Sequence, residues 1–287
     1  SGARKGRPQA TLVALPGYMG TEGKRRRAAR GSVKAALGAA ALAVSGVPEE
    51  ADVSVSILAH LSGAAPGPEL RVLATGSRAT LRAAVDTSRS APRGSMSPAA
   101  VSGLLHERLT GSAFVTALRE RGWDDATIAG EITTLVFAGW ASIAAVLRTA
   151  ETFGIGGPQV GPSDIDELLR VAPPGWLITR EIAESMNLSG RELPERTLVL
   201  TSPWILHRDP AQWREPERYN ARRRDSRRSP AYLPFGLGEW ACPAESYSRA
   251  ILLELLRRRA SGRAAAGIRP KLIDGRSACL EPAATGM

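Results

Sequence analysis

Apolar and polar positions follow two different rhythms along this chain. From Gly20 to about Leu147 the pattern is helical and dominated by Ala, Leu and Arg, with loops such as SGAAPGPEL (62–70) between the periodic stretches. Residues 88–98, SRSAPRGSMSP, carry the Ser, Pro and Gly of a flexible break. The run from Asp124 to Leu147, DDATIAGEITTLVFAGWASIAAVL, predicts a long apolar helix with an acidic first turn. A short Gly/Pro loop from Gly154 leads to a brief helix from Ser163, capped by Ser163-Asp164 and ending before Pro173-Pro174. From Trp176 the rhythm shortens to strand-like runs, WLITREI (176–182) and TLVLTSPWIL (197–206). An arginine-rich loop, a glycine-containing segment around Cys242, a helix over Tyr247–Leu256 and a strand-like tail complete the chain. No internal repeat is visible. The expected class is mainly α with a small β region, as one domain over 1–287, helical to about 172 and β-rich with the Cys242 loop from 173.

Composition narrows the class. At 287 residues and 43% hydrophobic content the chain can bury a sizeable core. No run reaches the roughly eighteen uninterrupted apolar residues of a membrane span. The candidate AALGAAALAVSGV, from Ala35, reads as a packed helix. The opening SGARKGRPQA has a basic start but no apolar segment behind it, so no signal peptide is expected. Two distant cysteines make no disulfide framework, which leaves the cytoplasm as the expected compartment.

The net charge of +10 comes from arginine clusters at 24–27 with Arg30, at 222–228 and at 257–259. Such a surface is either solvated or suited to an acidic partner. With 5% aromatic residues and no zinc-finger spacing or RNA-binding signature, nucleic acid is not the expected partner.

The chemistry concentrates at YLPFGLGEWACPAESYSRA, Tyr232 to Ala250. Pro243 fits the first position of a helix, which would put Cys242 at its N-cap. There the backbone N–H groups and the positive end of the helix dipole would stabilise a thiolate, suited to a soft metal or to nucleophilic catalysis. Gly236 and Gly238 allow a tight turn and a close approach. Other readings stay open on the residues alone. Cys242 could be a small buried hydrophobe, or a nucleophile paired with His60, His106 or His207, none of which sits in a recognisable partner motif. Gly236-x-Gly238-x-x-Ala241 matches a dinucleotide fingerprint weakly, because Glu254 falls inside the next helix. His207-Arg208-Asp209 mimics a kinase loop without its companion motifs.

Phe235-Gly-Leu-Gly238-Glu-Trp240-Ala-Cys242-Pro-Ala244 resembles the haem-binding loop of the cytochrome P450 family. Further blocks agree in the family's order. Glu167-Leu-Leu-Arg170, with Pro173-Pro174 and Arg180 after it, resembles the Glu-x-x-Arg helix and the following strand. Pro216-Glu217-Arg218-Tyr219 resembles the loop whose arginine completes that network. Phe137-Ala138-Gly139-Trp140-Ala141-Ser142 falls where the distal helix lies over the haem, and Gly20-Thr-Glu22 running into Arg25–Arg27 resembles the start of the propionate-contacting helix.

The resemblance implies a cytochrome P450-like fold around a b-type haem, with iron held by the Cys242 thiolate, which pushes electron density onto the metal. It implies cofactor contacts from Phe235, Gly236, Gly238 and Trp240, propionate pairing by Arg27 and Arg180, and a distal site at Ala138, Gly139 and Ser142. Glu167, Arg170 and Arg218 would be structural. The implied activity is a monooxygenase oxidising a small organic secondary metabolite, served by an acidic ferredoxin-type or flavodoxin-like electron donor, with no nucleic acid or membrane partner.

Departures from the family pattern temper that expectation. The chain is short and begins near the third major helix, so the N-terminal sheet is expected to be missing, and the link between Ser142 and Glu167 is trimmed. The distal acid–alcohol pair is Ala141 and Ser142, which keeps a hydroxyl and lacks an acid, and Trp140 would add bulk to the distal face. Trp240 replaces a cationic residue, Ala244 a glycine, and Gly23 a common propionate-binding histidine. Two alternatives follow: a P450-like enzyme with peroxide-driven or other non-standard chemistry, and a non-catalytic auxiliary relative.

Overall fold

A computed structural model describes residues 3–5, 23–46, 52–75, 98–223, 229–238, 241–273 and 277–283. Gly20 to Glu22, residues 88–97 of the expected break, residues 224–228 of the arginine loop, Trp240 and the side chain of Arg27 lie outside the described residues.

Among the described residues, the first half is helical from Gly23 on, as its periodicity predicts. Helices α1 (Gly23–Leu42), α2 (Val53–Ser62), α3 (Pro98–His106) and α4 (Ala113–Arg119) surround a central helix α5 (Asp125–Thr152), and all contribute to one hydrophobic core. The start of α5 is set by Asp124, whose carboxylate accepts from the Thr127 N–H at 2.8 Å and from its hydroxyl at 2.8 Å. Asp125 in the first turn complements the helix dipole and pairs with Arg119 at 2.8 Å. This helix is long and apolar enough to cross a membrane, contrary to the run-length expectation, yet 72% of its most apolar window is buried inside the protein. Its apolar surface is spent on the core.

Helix α6 (Pro162–Val171) opens one residue earlier than its sequence signal indicates. Gly161 is the cap residue and Pro162 takes the first helical position. Asp164 reaches back from the first turn to accept the Gly161 N–H at 2.8 Å, so the expected Ser163-Asp164 cap is replaced by a return contact. Pro173-Pro174 ends the helix.

The β region is small. Strands β1 (Ala3–Lys5), β2 (Ile178–Ile182) and β5 (Leu198–Thr201) form an antiparallel sheet in the order β1-β2-β5, with Arg180 opposite Lys5 on one side and Val199 on the other. Ala3–Lys5 therefore supplies an N-terminal strand where none was expected. Strands β3 (Met186–Leu188) and β4 (Arg191–Leu193) make a hairpin whose turn residues, Ser189 and Gly190, both have positive φ. The run TLVLTSPWIL divides: after β5, Ser202 caps the short helix α7 (Pro203–Leu206), and Pro203 in first position removes the donor a strand would need. Helix α8 (Glu245–Arg258) runs through the core, and strands β6 (Ile268–Ile273) and β7 (Ser277–Pro282) pair antiparallel, with β7 packed on α5.

Candidate functional site

Around α6 the chain builds a dry polar hub. Glu167 and Arg170 are three residues apart on one helix face and pair side-on, with Nε to Oε2 at 2.8 Å and Nη2 to Oε1 at 2.9 Å. The other Arg170 donors go to the carbonyls of His207 at 2.9 Å, Pro216 at 2.8 Å and Arg218 at 3.1 Å. Arg170 is 0% exposed, and all five of its N–H groups have an acceptor. Glu167 Oε1 also accepts from the Asn220 N–H at 3.0 Å and from Arg223 Nε at 3.3 Å.

The second cation of this hub is Arg223, where Arg218 was expected. The Arg218 side chain is 73% exposed and meets Glu215 at 3.3 Å. The turn through 216–220 aims its carbonyl inward and its guanidinium outward. Arg223, 12% exposed, returns to Glu167 and also donates to the carbonyls of Arg214 at 2.6 Å and Glu215 at 3.3 Å.

His207 ties the hub to the cysteine loop. Its Nε2 accepts the Leu233 N–H at 2.8 Å and its Nδ1 lies 3.1 Å from the Arg170 carbonyl. The accepting role of Nε2 places the ring proton on Nδ1, donated to Arg170. The ring stacks on Tyr232 at 5.5 Å and meets the Trp213 edge at 6.1 Å. Burial, helped by the charges of Arg170 and Arg208, lowers its pKa from 6.5 to about 4. No partner motif for this histidine is visible in the sequence, because both ring nitrogens bond backbone groups.

A second clamp holds the loop from the same helix. Arg249 of α8 pairs with Asp166 and with Glu245, the latter at 3.0 Å, and lies over the Phe235 ring at 5.2 Å. The Tyr232 hydroxyl donates to the Asp166 carbonyl at 3.1 Å. Gly236 and Gly238 both sit at φ 73°, which favours glycine, and the Cys242 N–H closes the loop on the Phe235 carbonyl at 2.8 Å. Arg30 of α1 donates to the Ala241 carbonyl at 2.5 Å, pinning the residue before the cysteine.

Cys242 is not at the helix N-cap. Helix α8 starts at Glu245 with Ala244 as cap, so Pro243 is no first helical residue and the cysteine lies in the loop, half-buried. Cys242 and Cys279 are both thiols, with no disulfide between them.

The loop, the end of α6, strand β2 and the middle of α5 enclose a cavity of about 470 Å³. Its walls bring together Cys242, Phe235, Gly236, Arg180, Ala138, Gly139 and Ser142. Gly238, Glu167, Arg170 and Arg218 do not line it. Ala138, Gly139 and Ser142 share a face of α5 with Thr134 and Val146 at helical spacing. Trp140 and Ala141 are on the opposite side, buried in the core, so Trp140 does not crowd the distal wall as expected. Arg180 reaches the cavity from β2 with only the Thr179 carbonyl as a partner, at 2.9 Å, among the described residues.

Comparison with known proteins agrees with this architecture. Residues 163–257 match the family model of cytochrome P450. Cyclooctatin synthase of Streptomyces melanosporofaciens is 43% identical over 81 residues, 26% of this chain and 18% of that protein. Cytochrome P450 71D8 of Glycine max is 39% identical over 94 residues, 31% of this chain and 19% of that protein. The alignments thus span less than a fifth of these relatives' length. A 6-coordinated cytochrome P450 from Thermus thermophilus superposes with a TM-score of 0.64 at 21% identity, over 98% of this chain and 88% of that one. The structure of CalO2 gives 0.67 at 18% identity, over 98% and 83%. The fold is that of the cytochromes P450, and residues 163–257 carry the sequence match to that family.

The hub makes two measurable distinctions. Arg223→Ala, which strips a charge-assisted bond from a buried carboxylate, is expected to cost about 1–3 kcal/mol in urea unfolding, and Arg218→Ala less than about 0.5 kcal/mol. For His207, the folded pKa lies below the unfolded one, so the unfolded chain takes up the proton first as pH falls. Stability contributed by neutral His207 is therefore full above pH 6.5 and falls toward pH 4, with a slope approaching ~1.4 kcal/mol per unit. Urea midpoints of the wild type should drop through that window more steeply than those of His207→Gln.

Proposed function

We propose that this chain binds a b-type haem in the cavity, with the Cys242 thiolate as the proximal iron ligand, and acts as a haem-thiolate monooxygenase on a small organic substrate. The observation that carries the reading is the meeting, in one cavity, of Cys242 on one wall and Ala138, Gly139 and Ser142 on another, with Arg180 at the side.

The wall chemistry fits a flat, apolar, dianionic group. Leu169, Pro234, Phe235 and Leu252 supply apolar surface on the cysteine side, and Ile143 and Val146 on the helix side. A side chain at Gly139 would meet nothing within 4 Å, so the glycine leaves open space on the distal wall. Arg180 suits a propionate because a guanidinium binds carboxylate through two parallel bonds. Arg27 is the second propionate candidate. The haem, when bound, would supply the one-electron and dioxygen chemistry, tuned by its thiolate ligand.

The protein's own contribution is positioning. Contacts from His207, α6 and α8 hold the loop, so that Cys242 is kept at the cavity. The Ser142 hydroxyl would be the distal hydrogen-bonding group. Because Ala141 carries no acid and faces the core, a reading with peroxide as the oxygen source stands beside the monooxygenase reading. A biosynthetic setting is supported by the partial match to cyclooctatin synthase. The net charge of +10 favours an acidic electron donor of the ferredoxin type.

The reduced carbon-monoxide difference spectrum of haem-loaded protein tests the assignment. Wild type and Cys279→Ser should show the red-shifted band of thiolate-ligated haem, and Cys242→Ser should lose it. Retention in Cys242→Ser with loss in Cys279→Ser would move the ligand, and a protein that takes up no haem would refute both enzyme readings.

A further inference from the structure

We propose that Ser277 is a positioning residue for the distal hydroxyl, holding Ser142 Oγ away from its own helix so that it can donate into the cavity. The functional meaning of this contact rests on the haem reading above; the contact itself rests on geometry alone.

Past its first turn, α5 carries five hydroxyl side chains, and four behave alike. Thr133, Thr134, Thr149 and Thr152 each donate to the carbonyl four residues back, at 2.8 to 2.9 Å. Such back-bonding is the ordinary fate of a helical hydroxyl. Ser142 departs from it. Its partner among the described residues is Ser277 Oγ, 3.3 Å away on β7, and it also lines the cavity.

Ser277 is well placed to impose this. It is 6% exposed and begins a strand tied to the helix by further hydroxyls. The Leu280 N–H donates to Thr149 Oγ1 at 3.0 Å, and the one Thr152 hydroxyl proton is shared between the Arg148 carbonyl and the Leu280 carbonyl, 3.0 Å away. The Ala278 N–H is held by the Pro174 carbonyl at 3.1 Å. Ser142, Thr149 and Thr152 are spaced seven and three residues apart, so they lie along one face of α5. The serine pair is the rung of this ladder nearest the cavity.

Two hydroxyls sharing one hydrogen bond leave one proton over. With Ser277 donating, the remaining proton belongs to Ser142, which faces the cavity. With Ser277 removed, Ser142 has the Ala138 carbonyl as its nearest helical alternative, and its proton is withdrawn into the backbone. Since residue 141 is an alanine, no neighbouring acid on the helix can take over this orienting role.

Two readouts test the proposal on Ser142→Ala, Ser277→Ala, Ser277→Thr and the double alanine variant. In a crystal structure of Ser277→Ala, with or without haem, Ser142 Oγ should rotate onto the Ala138 carbonyl; an unchanged Ser142 rotamer would overturn the proposal. In the haem-loaded, reduced carbon-monoxide complex, the infrared C–O stretch of Ser277→Ala should shift to the position found for Ser142→Ala. Ser277→Thr should keep the wild-type band, and the double variant should match Ser142→Ala. A band that moves in Ser142→Ala but not in Ser277→Ala, or that moves further in the double variant, would contradict an action through Ser142. Rotation in the crystal together with failure to load haem would uphold the serine contact and refute the haem reading alone.

Discussion

A guanidinium sealed from water has to find five acceptors or destabilise the fold, and Arg170 finds them. Removing such a charge from solvent costs several kcal/mol, which only complete hydrogen bonding and a paired carboxylate offset. Here the carboxylate stands three residues back on the same face of α6, and the carbonyls come from three separate points of the following irregular chain. The arrangement therefore converts a stretch with almost no regular structure, 207–223, into a fixed wall. Loss of one partner from a buried pair costs on the order of 3–5 kcal/mol, so the alternatives are excluded strongly.

From that wall the order passes to the cysteine loop through neutral contacts and one clamp. His207 uses both ring nitrogens on backbone groups, which is possible only in its uncharged form. Arg249 and Tyr232 bring Asp166 of α6 to the opposite side of the loop. The distal wall has its own polar anchor: α5 packs in the core that it shares with α6 and α8, and the hydroxyl ladder ties it to β7. The cavity is thus the gap between two walls that have different polar anchors and one shared hydrophobic core.

Much of this was legible in the residues. Helical periodicity located α5 and α8, and Glu167 with Arg170 three positions apart marked a shared face. What escaped was decided by the backbone. Arg218 and Arg223 are equally basic in sequence, and only the turn through 216–220 selects the second for Glu167. Pro243 resembled a helix start, but the loop closes through the Cys242 N–H and the helix begins three residues after the cysteine. Trp140 adjoins Gly139 in sequence, yet the helical turn of about 100° between neighbours sends it into the core. The three residues of β1 are too few for a periodic signal, and their pairing with β2 is a property of the fold. Ser277 could not be linked to Ser142 at all, since 135 residues separate them.

The central claim is that Cys242 bonds to iron in the cavity. Iron K-edge X-ray absorption on the haem-loaded Cys279→Ser protein, in which Cys242 is the remaining thiol, addresses it most directly. The account predicts a single sulfur scatterer beside the four porphyrin nitrogens. A first coordination shell containing nitrogen and oxygen alone would contradict it.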